Sequence, residues 1–126
     1  MKPTILLRSL FAVAFAAGGS AAHAVDRDQA QIELAQAATA VQAAERDDAA
    51  RYATSELDEA HAMLDGARRA ADAGAWRDAA LYSERAKVSG DLASARSRQK
   101  RAEAAADEIQ RSIDALRMQA MPGGAP

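Results

Sequence analysis

The sequence contains no cysteine, which excludes a disulfide framework, a thiolate metal site and a lipid-bearing cysteine behind a leader. It also lacks any apolar run near the ~20 residues that cross a bilayer, so no transmembrane segment is expected. Strand-like alternation is missing, and so are the G-x-G-x-x-G and P-loop patterns that cradle phosphates. Downstream of the first 24 residues there is a single histidine, His61, around which a transition-metal site would have to be completed by carboxylates alone. These absences leave an all-α protein with no expected cofactor and no expected metal.

What is present begins with the N-terminus. Met1, Lys2 and Arg8 give a positive n-region, Leu10 to Ala17 an apolar core, and Ala22-His23-Ala24 a small-residue cleavage site. The pattern predicts a signal peptide over residues 1–24, and hence a periplasmic location, with secretion as the alternative. The remaining 102 residues suffice for one domain whose core burial is marginal unless its helices are long and well paired. Without the leader, fourteen basic residues face eighteen acidic ones, about −4 at neutral pH. That balance gives no reason to expect nucleic acid.

Apolar residues then recur at helical spacing. Ala30, Leu34, Ala37, Val41 and Ala44 form the stripe of a helix predicted over about 28–47. A break or kink follows, with Thr54 or Ser55 placed to accept a bond from an orphan N–H. Leu57, Ala60, Leu64, Ala67 and Ala71 predict a second helix over 55–73, ended by Gly74. A third runs over 76–119, with only Gly90 interrupting it, until Met121-Pro122-Gly123-Gly124 opens a disordered tail over 121–126. At ~1.5 Å per residue this third helix is roughly 65 Å long, far longer than the second.

Its distal stripe of Ala102, Ala106, Ile109, Ile113 and Leu116 needs a cover that the second helix cannot reach. The expected architecture is therefore an elongated antiparallel helical hairpin, or three-helix coiled coil, in which helix one continues helix two as a kinked arm. That register pairs Leu57 with Leu92, Val41 with Ile109 and Ile32 with Leu116, and sets Leu34 near Ile113. A compact bundle with helix one folded back is the alternative, disfavoured because it leaves the distal stripe exposed. Alanine at most seam positions lets helices approach closely but buries little area, so self-association or a protein partner is expected to complete the core.

The site census is sparse. Adjacent acids such as Asp47-Asp48, Asp58-Glu59 and Asp107-Glu108 diverge by about 100° around a helix and do not converge on a substrate. His61 reads as a solvated or seam histidine, and no strand-turn-helix elbow presents a serine nucleophile. No catalytic residue is assigned and no enzyme activity is expected. Candidate partner-binding residues are the aromatics Trp76 and Tyr82 and the basic run Arg96, Arg98, Lys100 and Arg101. The basic run suits an anionic envelope component, or else a solvated face paired with helix-one acids. Trp76 is expected at the hairpin tip against the end of helix two, with Tyr52 as a staple at the kink.

Ala49 to Ala95 resembles the domain of unknown function 4398 family, in which a Tyr-Ala-Pro-x-Glu-Leu segment precedes spaced alanines, a glycine-aromatic turn and an alanine-rich helix. Tyr52-Ala53, Glu56-Leu57, Ala60, Leu64, Ala67, Gly74, Trp76, Ala79 and Ala86 carry the likeness. This chain has Thr54 where the family tends to have proline, which implies a softer break. The resemblance implies a helical, exported bacterial envelope protein and transfers no catalytic residue. Such proteins are often lipoproteins or are joined to a peptidoglycan-binding domain of the outer-membrane-protein-A type, and neither attachment is read here. The function expected is that of a non-enzymatic structural or adaptor protein of the cell envelope acting through helix-mediated contacts. The alternative is a binding module for lipid, lipopolysaccharide or peptidoglycan through residues 96–101.

Overall fold

A computed structural model of the chain describes residues 19–121 and 123, with side-chain surroundings from Arg27 onward. Residues 1–18 of the expected leader lie outside the described residues, as does most of the tail. At Ala22 and Ala24 only the helical backbone is described. Among the described residues the protein is all-α: α1 spans Gly19–Arg46, α2 Ala49–Tyr52, α3 Thr54–Asp72 and α4 Trp76–Ala120.

Two corners set the path. At the first, Asp48 adopts a left-handed conformation (φ 63°), and its N–H bonds the Glu45 carbonyl at 3.1 Å while its own carbonyl receives the N–H groups of Arg51 and Tyr52. Asp48 thus closes α1 and opens the single turn of α2, a conformation that Asp tolerates better than most residues. The chain reverses there. Thr54 does not accept an orphan N–H; its hydroxyl donates to the Ala50 carbonyl at 3.0 Å and tidies the end of α2 instead. At the second corner Gly74 (φ 72°) closes α3: its N–H reaches the Ala71 carbonyl at 3.0 Å and the Ala75 N–H reaches Ala70 at 2.9 Å. That pair of bonds is the Schellman closure, for which glycine is suited because it lacks a Cβ.

The result corrects the hairpin. α1 folds back against α3 and runs parallel to α4, rather than extending α3 along the far half of α4. Arg27 at the start of α1 lies over the ring of Trp76 at the start of α4, 5.4 Å from its centroid. Further along, Ala40 and Val41 meet Gly90, and Asp47 meets Ser94 and Ser97. Of the expected large-residue pairs, Leu57 and Val41 are buried in the core, but Leu92 is exposed and Ile109 and Leu116 stand 61% and 64% exposed.

The physical reason is size matching. α4 turns a row of small residues inward: Ala79, Ser83, Ala86, Gly90, Ala93 and Ser97, at alternating spacings of four and three. α1 meets it with Ala30, Ala37, Ala40, Val41 and Ala44. A Cβ built on Gly90 would lie 3.0 Å from the Ala40 carbonyl carbon and 3.1 Å from the Val41 nitrogen, so the two backbones are nearly in contact. Gly66 of α3 likewise receives the ring of Tyr82, where a Cβ would meet Cδ1 at 3.1 Å. Leu57, Leu64 and Val41 fill the remaining core space. Close approach restores by dispersion part of what small side chains lose in buried area.

α4 outruns the other helices. Every residue from Arg101 to Met121 is exposed; Arg101 to Ala105 still border the α1–α2 corner, and beyond them the helix runs on for about 20 Å as an overhang among the described residues. Local bonds support its helix: Gln99 to Glu103 at 2.8 Å, Gln110 to Asp114 at 3.0 Å, and the Arg111–Glu108 pair at 3.3 Å. Each such pair adds only a few tenths of a kcal/mol.

Two substitutions on the inward face of α4 should move stability in opposite directions. Gly90→Leu drives a side chain into the α1 backbone and should cost about 3 kcal/mol. Ser83 is fully buried and its hydroxyl has no partner among the described residues; Ser83→Ala should therefore stabilise by about 1 kcal/mol through better helix propensity and removal of an unpaired polar group. Urea unfolding of both variants beside the parent chain checks the signs.

Candidate functional site

The described side chains concentrate polar chemistry at one place, the α1–α2 corner where it meets α4. Asp47, the last residue before the reversal, is 24% exposed and accepts hydrogen bonds from the Ser94 hydroxyl and from Arg98 Nε, the latter at 2.8 Å. Its backbone carbonyl accepts from the Ser97 hydroxyl. Arg98 also donates to Ser94 Oγ at 2.6 Å, closing a small network. Arg101 faces Asp48 at 3.8 Å, and Arg96 pairs with Glu56 of α3.

The bonds from Ser94 and then Arg98 hold the Asp47 carboxyl below its ordinary pKa of 3.8, against the opposing effect of burial. Asp47 is therefore a carboxylate at neutral pH, with no proton to give and little basicity. Its role here is to anchor the corner. Tyr52, expected as a staple, is half-buried at the rim of a shallow cavity with Asp47, Arg98, Arg101 and Ala102, and the Arg51 guanidinium lies 5.1 Å from its ring centroid.

The residues singled out in the sequence separate into two places. Trp76 and Tyr82 lie at the other end of the bundle and serve its packing, Trp76 beneath Arg27 of α1 and Tyr82 on Gly66 of α3. The basic run is brought together at the α1–α2 corner, with Arg96, Arg98 and Arg101 facing Glu56, Asp47 and Asp48 and with Lys100 exposed. His61 Nε2 lies 3.1 Å from Glu45 on the exposed α1–α3 edge. Among the described residues no group of three or more His, Asp or Glu side chains is arranged to hold a metal ion, and no helix is long and apolar enough to cross a membrane.

A second feature lies on the far side of α4. Leu81, Val88 and Leu92 are exposed on the side of α4 opposite its small-residue row, in line with Ile109, Ile113 and Leu116 of the overhang. The signal was in the spacing, since Leu81, Val88, Ile109 and Leu116 differ by multiples of seven. α4 is thus apolar on two faces, small residues inward and large residues outward.

Comparison with known proteins places the chain. The family model described as domain of unknown function (DUF4398) matches residues 32–109, from α1 into the overhang. The chain belongs to that family. No curated protein and no solved structure matches it.

The corner network carries a pH dependence whose sign follows from the lowered Asp47 pKa. A carboxylate with a depressed folded-state pKa contributes stability above its unfolded value and loses it as pH falls through the folded one. Asp47→Asn should destabilise the bundle at neutral pH, and the gap between variant and parent should close on acidification below about pH 4. Urea midpoints of the two chains at neutral and acidic pH test this.

Proposed function

We propose that this member of the DUF4398 family is a non-enzymatic protein of the bacterial cell envelope, exported to the periplasm, that works as a structural or adaptor element through the exposed surface of α4. The observation that carries the reading is the outward row of large apolar residues on a helix that extends about 20 Å beyond its own bundle. Solvent-exposed apolar rows of this kind mark contact surfaces. The leader pattern of residues 1–24 supports export, and the non-enzymatic reading is supported by Asp47 being held as a structural anchor by Ser94 and Arg98 and by His61 lying on an exposed helix edge rather than in a cavity.

The alternative, an anionic envelope ligand held by residues 96–101, draws less support. Three of its four cations already face carboxylates of the same chain, and a ligand would have to compete with them.

Two measurements test the proposal. Cells producing the full chain with a C-terminal tag should release it from the periplasm at the mass of Val25–Pro126 plus the tag; a full-mass cytoplasmic chain would overturn the envelope reading. Purified protein should not sediment with vesicles of acidic phospholipid at physiological ionic strength. Salt-sensitive sedimentation abolished by alanine at Arg96, Arg98, Lys100 and Arg101 would move the assignment to the anionic-ligand reading.

A further inference from the structure

We infer that the outward face of α4 is covered by the same face of a second copy of this chain, running antiparallel, with each overhang lying along the outer side of the other copy's bundle. The inference rests on the reading of α4 as a contact surface and goes beyond it by naming the occupant.

The outward face follows a heptad. Leu81, Val88, Ala95, Ala102, Ile109 and Leu116 form one row at intervals of seven, and Arg85, Leu92, Gln99, Ala106, Ile113 and Ala120 form the row beside it. Together they make a continuous coiled-coil seam. A strict seven-residue repeat over this length requires left-handed supercoiling, which a partner helix supplies. The seam is palindromic in size. Large residues occupy its two ends, and the middle, around Ala95, Gln99, Ala102 and Ala106, is small apart from the glutamine.

Antiparallel pairing centred between Lys100 and Arg101 exploits that symmetry. Val88 then faces Ile113 of the second copy, Leu92 faces Ile109, Ala95 faces Ala106, and Arg85 lays its aliphatic stem against Leu116. Each layer occurs twice. Val88 and Leu92, exposed on the outer side of the bundle, are thus matched to Ile113 and Ile109 of the overhang, and Leu81 meets Ala120, over about 60 Å of helix.

The charges flanking the seam select this register. Arg96 of each copy, about half exposed while paired with Glu56 of its own chain, falls beside Glu103 of the other and would be shared between the two carboxylates. Sliding by one heptad one way sets Arg96 beside Arg96, and sliding the other way sets Glu103 beside Glu103; both are like-charge contacts in place of two opposite-charge ones. Pairing the overhangs alone avoids such repulsion but leaves Leu81, Val88 and Leu92 in water. Parallel in-register pairing puts Arg85 against Arg85 within the seam, whereas the antiparallel register gives each Arg85 an apolar neighbour.

The absence of natural cysteine makes the geometry directly testable on the purified Val25–Pro126 chain. Light scattering should give a dimer at micromolar concentration for the parent, and for Ile113→Glu a monomer that keeps its helical circular dichroism, because Ile113 is exposed on the overhang and lies outside the bundle core among the described residues. Glu103→Arg should weaken the dimer several-fold. Oxidising a mixture of Leu92→Cys and Ile109→Cys chains should link them to each other.

Disulfide formation by Leu92→Cys with itself would overturn the antiparallel arrangement in favour of a parallel one. Linkage of Ile109→Cys to Ile113→Cys, in place of the expected pair, would restrict contact to the overhangs and overturn the register. A parent chain monomeric at every accessible concentration would overturn self-pairing outright. If that monomer is still recovered from the periplasm, the envelope reading survives without it.

Discussion

The structure depends on how closely α1 and α4 approach. Their contact is backbone against backbone at Gly90, flanked by alanines and serines, and no larger residue at that crossing would leave the two helices where they are. Two further features follow. α1 must run beside the first half of α4, so the chain must reverse between Arg46 and Thr54, and Asp48 provides the left-handed residue that permits it. The interior row of α4 is thereby filled with small side chains, and its larger apolar residues are displaced to the opposite side.

The polar corner at Asp47 locks the same arrangement. A carboxylate, two serine hydroxyls and a guanidinium converge where α1 ends against α4, and the bonds to Asp47 join residues 47 to 51 positions apart. These bonds position helices rather than reagents. Burial of Ser94 and Ser97 beside Asp47 gives the α1–α4 pairing a specific register that alanine-on-alanine contacts alone would leave degenerate, since similar small residues recur along both helices.

Much of the fold was legible in the sequence because its signals are local. The spacing from Leu57 to Ala71, the glycine after it and the Pro-Gly-Gly stop beyond Met121 are read within a few residues, and the family likeness covers the same stretch. Helix direction was not legible. Pairing Val41 with Ile109 looked favourable because apolar size was the criterion, whereas the chain pairs Val41 with Gly90, where the gain lies in proximity. The left-handed Asp48 carried no distinctive signal among neighbouring acids. Of the candidate site residues, the basic run was expected either to bind anions or to pair with helix-one acids, and it meets Asp47 and Asp48 from α1's end and Glu56 from α3. The outer face of α4 is only half legible, because Ile109, Ile113 and Leu116 read as a stripe awaiting a cover, and their continuity with Leu81, Val88 and Leu92 shows only when the seven-residue spacing is followed along the whole helix.

The small-residue interior has a thermodynamic consequence. The heat-capacity change of unfolding grows with the apolar surface newly exposed to water and is offset by exposed peptide groups. A bundle held by alanine, serine and glycine exposes little hydrocarbon when it opens but releases as much backbone as any other helical domain of its length. Its stability should therefore curve only gently with temperature: a broad, low dome in which marginal stability persists over a wide range.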